Sequence, residues 1–130
     1  MDMKTAVNNN HLANVPVSAI VHPAAKLGGE IQVPGDKSIS HRVGMLAGIS
    51  SGTSEVENYL QSGDCISTLK AMEALGARSY ETPDGKLHIQ GTGGKFIQPA
   101  GMLDVGNSGT SIRLLSGLLA GSSISVEMTG

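Results

Sequence analysis

Apolar positions fall in short blocks separated by glycine, proline and polar turns, and their spacing switches between helical and extended periods. Between residues 38 and 50, Ile39, Val43, Leu46 and Ala47 recur at i, i+4, i+7 and i+8, which predicts a helix with one apolar face, ended by Gly52. Cys65, Leu69 and Met72 predict a second helix over residues 64–75, with Asp64 as its cap and Gly76 as a left-handed terminator. Alternation predicts a strand over residues 53–58, with Val56 flanked by glutamates. A hairpin follows over residues 78–81 and 86–90 around Pro83-Asp84-Gly85, with Leu87 and Ile89 on one side and Lys86, His88 and Gln90 on the other. Residues 18–22 and 30–33 read as short strands, stopped by Pro23 and by Pro34-Gly35. Residues 30–90 therefore read as β-α-β-α-β-β. After a glycine-rich connector (91–101), a strand begins at Met102 and a helix runs from Asn107 or Ser108 to Ala120, with Ile112, Leu115 and Leu119 as its buried stripe. A last strand occupies residues 124–128. The class is α/β, with residues 1–17 a polar leader expected to be disordered, one finished unit over 30–90 and the opening of a second over 102–130.

Composition narrows what such a chain does. It has 130 residues, 39% hydrophobic and 15% charged, enough for one ordinary core. A net charge of −2 lacks the basic excess of a nucleic-acid binder, and Tyr59, Tyr80 and Phe96 are the only aromatics, too few for a base-stacking platform. Cys65 is alone, so no intrachain disulfide forms. No apolar run approaches the roughly 20 residues of a membrane span, and no apolar h-region marks a secretory signal. A cytoplasmic protein is expected, with no membrane or nucleic-acid partner.

Two segments carry chemistry. In Pro34-Gly35-Asp36-Lys37-Ser38-Ile39-Ser40-His41-Arg42 a glycine turn leads into a helix that opens with Lys and Ser. The free N–H groups and positive dipole end of a helix start favour an anion. Ser38 and Arg42 lie about 40° apart around the helix, so a hydroxyl and a guanidinium address the same bound group, and Lys37 adds charge. In Asp104-Val105-Gly106-Asn107-Ser108-Gly109-Thr110-Ser111-Ile112-Arg113 the plan repeats, with Gly109 permitting close approach of a ligand to the backbone. Two of the chain's three arginines occupy this one position behind a helix start, where bidentate pairing with phosphate or carboxylate is available. Capping alone is the plainer reading of either start taken singly. Neither Gly35-Asp36-Lys37-Ser38 nor Gly91-Thr92-Gly93-Gly94-Lys95 fits the nucleotide P-loop spacing. No His or carboxylate stands at metal spacing from His41; Cys65 reads as a packed thiol, His88 as a solvated strand residue, and Asp36 and Asp64 as turn and cap.

The first segment, with Gly106-Asn107-Ser108-Gly109-Thr110-Ser111-Ile112-Arg113 and the strand at Gly28-Gly29-Glu30, resembles the EPSP synthase (3-phosphoshikimate 1-carboxyvinyltransferase) family. The resemblance covers residues 20–130. It implies the enolpyruvyl transferase fold, an inside-out α/β barrel of repeated β-α-β-α-β-β units in two domains with the site in the cleft between them, incomplete here. It implies transfer of the enolpyruvyl group from phosphoenolpyruvate to the 5-hydroxyl of shikimate 3-phosphate, with release of phosphate and no metal or organic cofactor. Carried over, Lys37 touches both substrates and is the catalytic candidate, Ser38 and Arg42 hold shikimate 3-phosphate, and Gly109 lines the phosphoenolpyruvate pocket, where glyphosate competes in this family. Asn107, Thr110 and Arg113 match supporting positions. Addition–elimination needs a proton donor to the methylene carbon and a base for the hydroxyl; the resemblance places these in the remainder of the enzyme. The chain thus reads as an N-terminal fragment, inactive alone. UDP-N-acetylglucosamine enolpyruvyl transferase shares the chemistry but lacks the Asp-Lys-Ser-x-Ser-His-Arg pattern, and a non-catalytic phosphate-binding module is the rival from another class.

Overall fold

In a computed structural model, Ile20 and residues 22–130 are described. The chain divides into two units, residues 1–31 and 32–130. In the first, the described residues carry no regular element, and Ile20, Leu27 and Ile31 are exposed. The leader over 1–17 and most of the strand expected at 18–22 lie outside the described residues.

The second unit runs α1 (Lys37–Ile49), β1 (Thr53–Val56), α2 (Gly63–Ala74), β2 (Arg78–Glu81), β3 (Leu87–Gln90), β4 (Leu103–Asp104), α3 (Gly109–Leu119) and β5 (Met128–Thr129). All three helices open on a side-chain cap. Asp36 accepts from Ile39 N–H at 2.8 Å, Ser62 from Cys65 N–H at 3.4 Å and Ser108 from Ser111 N–H at 3.1 Å, each satisfying one orphan donor of a first turn. Asp64 is therefore not the cap of α2; it lies inside the first turn, where its charge suits the helix dipole. Gly76, at φ 109°, follows the end of α2 as expected.

Three strands form one antiparallel sheet in the order β1-β3-β2, with Val56 opposite Leu87 and Glu81 also opposite Leu87. Leu87 and Ile89 turn inward and are buried. The outer face carries Lys86, which pairs with Glu55 and Glu57, and His88, which stacks on Tyr80 at 5.1 Å between ring centres and lies 3.8 Å from Glu55 Oε2. His88 is thus a half-buried member of this surface cluster rather than a freely solvated residue. Met128 and Thr129 pair in parallel with Leu103 and Asp104.

Helix α2 separates two apolar clusters. Cys65 and Leu69 join Ala47, Tyr59, Leu87 and Ile89 on the sheet side, while Ala71, Met72 and Leu75 join Met45, Leu103, Val105 and Leu115 on the side of α3. The α2 stripe and the α3 stripe are as the periodicity predicts, with Leu115 fully buried and Ile112 and Leu119 packed around it. Cys65 is a packed thiol.

Helix α1 departs from its predicted face. Ile39 and Leu46 are 63% and 62% exposed, and the buried side is Ser40, His41, Gly44, Met45, Ala47 and Gly48. Small residues let α1 lie close against α2: a Cβ at Gly48 would stand 2.6 Å from Met72 Cε. Close approach, not side-chain hydropathy, chose the inward side.

Two predicted strands are also corrected. Residues 30–33 form none, since among the described residues no strand pairs with them and an unpaired strand leaves its backbone groups to water. The strand expected at 124–128 is reduced to Met128–Thr129, because the Gln98 amide takes the backbone of Ser125, donating to its carbonyl at 2.5 Å and accepting from its N–H at 3.3 Å. Strand β1 stops before Asn58, which sits in the left-handed region at φ 54°.

Candidate anion-binding site

The two helix starts singled out by sequence are built alike. Gly35 packs so tightly on the loop after β1 that a Cβ would stand 2.0 Å from Asn58 O, and Gly106 takes φ 57°. Each glycine delivers the chain into a capped helix, Asp36 before α1 and Ser108 before α3. Behind each start an arginine folds back over the first turn. Arg42 Nη1 donates to Ser38 O at 3.0 Å, and Arg113 Nη1 donates to Gly109 O at 2.8 Å. Ser38 and Arg42 thus share one side of the α1 start, and Gly109 and Arg113 share one side of the α3 start. Both arginines are exposed.

Lys37 is exposed and engaged by Asp64 of α2 in a hydrogen-bonded ion pair. That bond shifts the Lys37 ammonium above its ordinary value, with desolvation opposing it and the Asp64 charge adding to it. Lys37 therefore acts as a fixed cation at neutral pH. Asn107 and Gly109 line a cavity of about 300 Å³ at the α3 start, together with Val105 and Ile112. Thr110 sits half-buried on the first turn of α3, outside that lining.

Sequence reasoning missed what joins the two starts. His41, the residue before Arg42, points inward and is fully buried, as are Thr68 of α2 and Ser111 of α3. His41 Nδ1 lies 2.7 Å from Thr68 Oγ1, which lies 2.7 Å from Ser111 Oγ, which donates at 2.7 Å to Ser108 Oγ. Burial pushes the His41 pKa down, the Lys37 and Arg42 charges add to this, and Asp64 opposes; the ring is neutral at pH 7. The signal in the sequence was the spacing of Ser40, Gly44 and Gly48, small residues at i+4 that mark a close helix contact and carry His41 into it.

Among the described residues, no three His, Cys, Asp or Glu side chains gather as a metal site, and no helix is long and apolar enough to cross a membrane.

The sequence pattern of EPSP synthase (3-phosphoshikimate 1-carboxyvinyltransferase) matches residues 21–130. A 3-phosphoshikimate 1-carboxyvinyltransferase of Koribacter versatilis is 46% identical over 113 residues, covering 87% of this chain and 26% of that protein. One from Methylococcus capsulatus is 48% identical over 109 residues, covering 83% and 25%. The solved EPSP synthase from Acinetobacter baumannii superimposes with a TM-score of 0.73 at 42% identity, over 78% of this chain and 23% of that one. The chain spans about a quarter of the length of these relatives.

Proposed function

The chain belongs to the EPSP synthase family and has its enolpyruvyl transferase fold, and on that premise we propose that it supplies part of a site transferring the enolpyruvyl group of phosphoenolpyruvate to the 5-hydroxyl of shikimate 3-phosphate, with release of phosphate. The observation that carries this reading is the pair of capped helix starts, each with an exposed guanidinium folded over its first turn. Both substrates are polyanions, and helix N-termini with arginines are receptors for such groups.

In this reading Ser38 and Arg42 hold the phosphate of shikimate 3-phosphate. Phosphoenolpyruvate is received at the α3 start, with Asn107 and Gly109 forming the cavity wall, Arg113 folded over the first turn and Thr110 in a supporting position on it. Lys37 lies between the substrates as a permanent cation, offsetting their anionic charge as the hydroxyl adds to C2 of the enol phosphate and stabilising the negative charge that develops on the phosphate as it leaves. The Asp64 hydrogen bond favours the protonated form of Lys37, so in this reading it supplies charge and is assigned no proton transfer. The donor that protonates the methylene carbon and the base that takes the hydroxyl proton come from the remainder of the enzyme, which completes the site. A cytoplasmic setting accompanies this reading.

The test is calorimetric titration of shikimate 3-phosphate into the full-length enzyme carrying this segment, native and Arg42→Ala. Arg42 is exposed, so the fold tolerates the change. Affinity should fall several-fold or more, by about 1 kcal/mol or above; an unchanged Kd defeats the assignment.

A further inference from the structure

The chain of side chains between the helices has a direction. A hydroxyl has a single proton to give. Ser111 Oγ gives its proton to Ser108 Oγ, the cap oxygen that also accepts from Ser111 N–H at 3.1 Å. At 2.7 Å from Thr68 Oγ1, Ser111 Oγ must then accept, so Thr68 is the donor there. The Asp64 carbonyl offers Thr68 an alternative acceptor at 3.2 Å, a longer and weaker contact. Thr68, having spent its proton, accepts at 2.7 Å from His41. The imidazole proton is therefore on Nδ1. Nε2 is left as a bare acceptor, and it is the buried ring nitrogen that has no hydrogen-bond partner. A lone pair without a partner is less costly to bury than an N–H without an acceptor, which favours the same tautomer from the other end of the ring.

We propose that His41 is a positioning residue: the donor end of a relay, His41 to Thr68 to Ser111 to Ser108, that fixes the start of α3 relative to α1. The relay links His41 of α1 and Thr68 of α2, through Ser111, to the cap of α3, and all four members are buried from water. Ser108 and Ser111 flank Gly109 in the first turn of α3, and His41 lies beside Arg42. The relay thus sets the separation of the two arginine-bearing starts; its importance for ligand binding rests on the anion-site reading above, whereas its existence does not.

Nitrogen-15 NMR of the histidine rings in the 130-residue chain at pH 7.5 tests the tautomer directly. The expected result is a proton on His41 Nδ1; a proton on Nε2 overturns the relay. Hydrogen exchange then tests its purpose. In Thr68→Val, which keeps shape and removes the hydroxyl, Ser111 and Ile112 amides should exchange tenfold or more faster, while the α2 amides of Leu69 and Met72 change little. Thr68→Ser should retain native protection at all four. Equal acceleration in α2 and α3 overturns the proposal, because it reports general loosening. Inorganic phosphate titrated into the native chain separates the two readings: absence of binding counts against the anion site, and leaves the relay to be judged by tautomer and exchange.

Discussion

Arg113 repeats the reach of Arg42: in each, Nη1 donates to the carbonyl oxygen four residues earlier, at 2.8 Å to Gly109 and 3.0 Å to Ser38. One N–H of each guanidinium anchors it to its own helix, and the rest of the fork remains available. Among the described residues neither arginine pairs with a carboxylate. Their charge is held in place without being neutralised, which is what an anion receptor requires.

If the fork matters beyond its charge, Arg113→Lys weakens phosphoenolpyruvate binding by about tenfold, or about 1.4 kcal/mol. Calorimetry on the full-length enzyme reads this, and a native Kd for the lysine variant would show that charge alone suffices.

Gly109 lies under that guanidinium, and a Cβ there would stand 2.6 Å from Arg113 Nη1. The obstructed atom is the end of a flexible side chain, so Gly109→Ala leaves the melting temperature within a few degrees but moves the guanidinium off its carbonyl. Affinity for phosphoenolpyruvate should drop several-fold in the native background and not at all in Arg113→Ala. Equal losses in both backgrounds would place the alanine's effect on the ligand itself.

Asp64 holds Lys37 protonated. In Asp64→Asn the deprotonation midpoint of Lys37, followed through its side-chain NMR signals, should move down. The sign for stability follows: a cation raised by its partner contributes most at neutral pH, and that contribution disappears as pH rises through its folded value. The pair is solvent-exposed, so the contribution is small. A midpoint that stays put would mean that the ion pair does not persist in solution.

His41 gives the opposite window. Its folded pKa lies below the ordinary 6.5 because burial disfavours the imidazolium. As pH drops from the ordinary 6.5 toward the lower folded value the unfolded chain takes up a proton that the folded chain refuses, so stability is full above 6.5 and is lost progressively through that interval. Urea midpoints at pH 7.5 and 5.5 should differ less in His41→Asn, which cannot titrate, than in the native chain. An identical acid loss in both would assign the effect to other groups.

Helix limits, the hairpin and both motif starts were readable because their causes are local. The Pro83-Asp84-Gly85 turn and the Cys65, Leu69, Met72 stripe each depend on residues a few positions apart, whereas the α2 cap was misplaced by two residues, on Asp64 instead of Ser62. What was not readable depends on distant partners. His41 meets Thr68 and Ser111 across 27 and 70 positions, and a strand over 30–33 needs a neighbour that periodicity does not supply. The face of α1 was misread for a related reason: hydropathy ranks Ile39 and Leu46 above Ser40 and Gly44, but the packing distance to α2 ranks them the other way.

That reversal inverts the tolerance of α1 to substitution. On an ordinary amphipathic helix the concealed side accepts one aliphatic residue for another, and the wet side resists oily ones. Here the concealed side has little slack: an added methyl would stand 3.1 Å from Tyr59 Oη at Gly44 and 2.6 Å from Met72 Cε at Gly48, so a buried neighbour must shift in either case. The outward positions Ile39 and Leu46, by contrast, are free to become glutamine or lysine with little effect on folding. Conservative exchange is dangerous on one side of this helix and radical exchange harmless on the other.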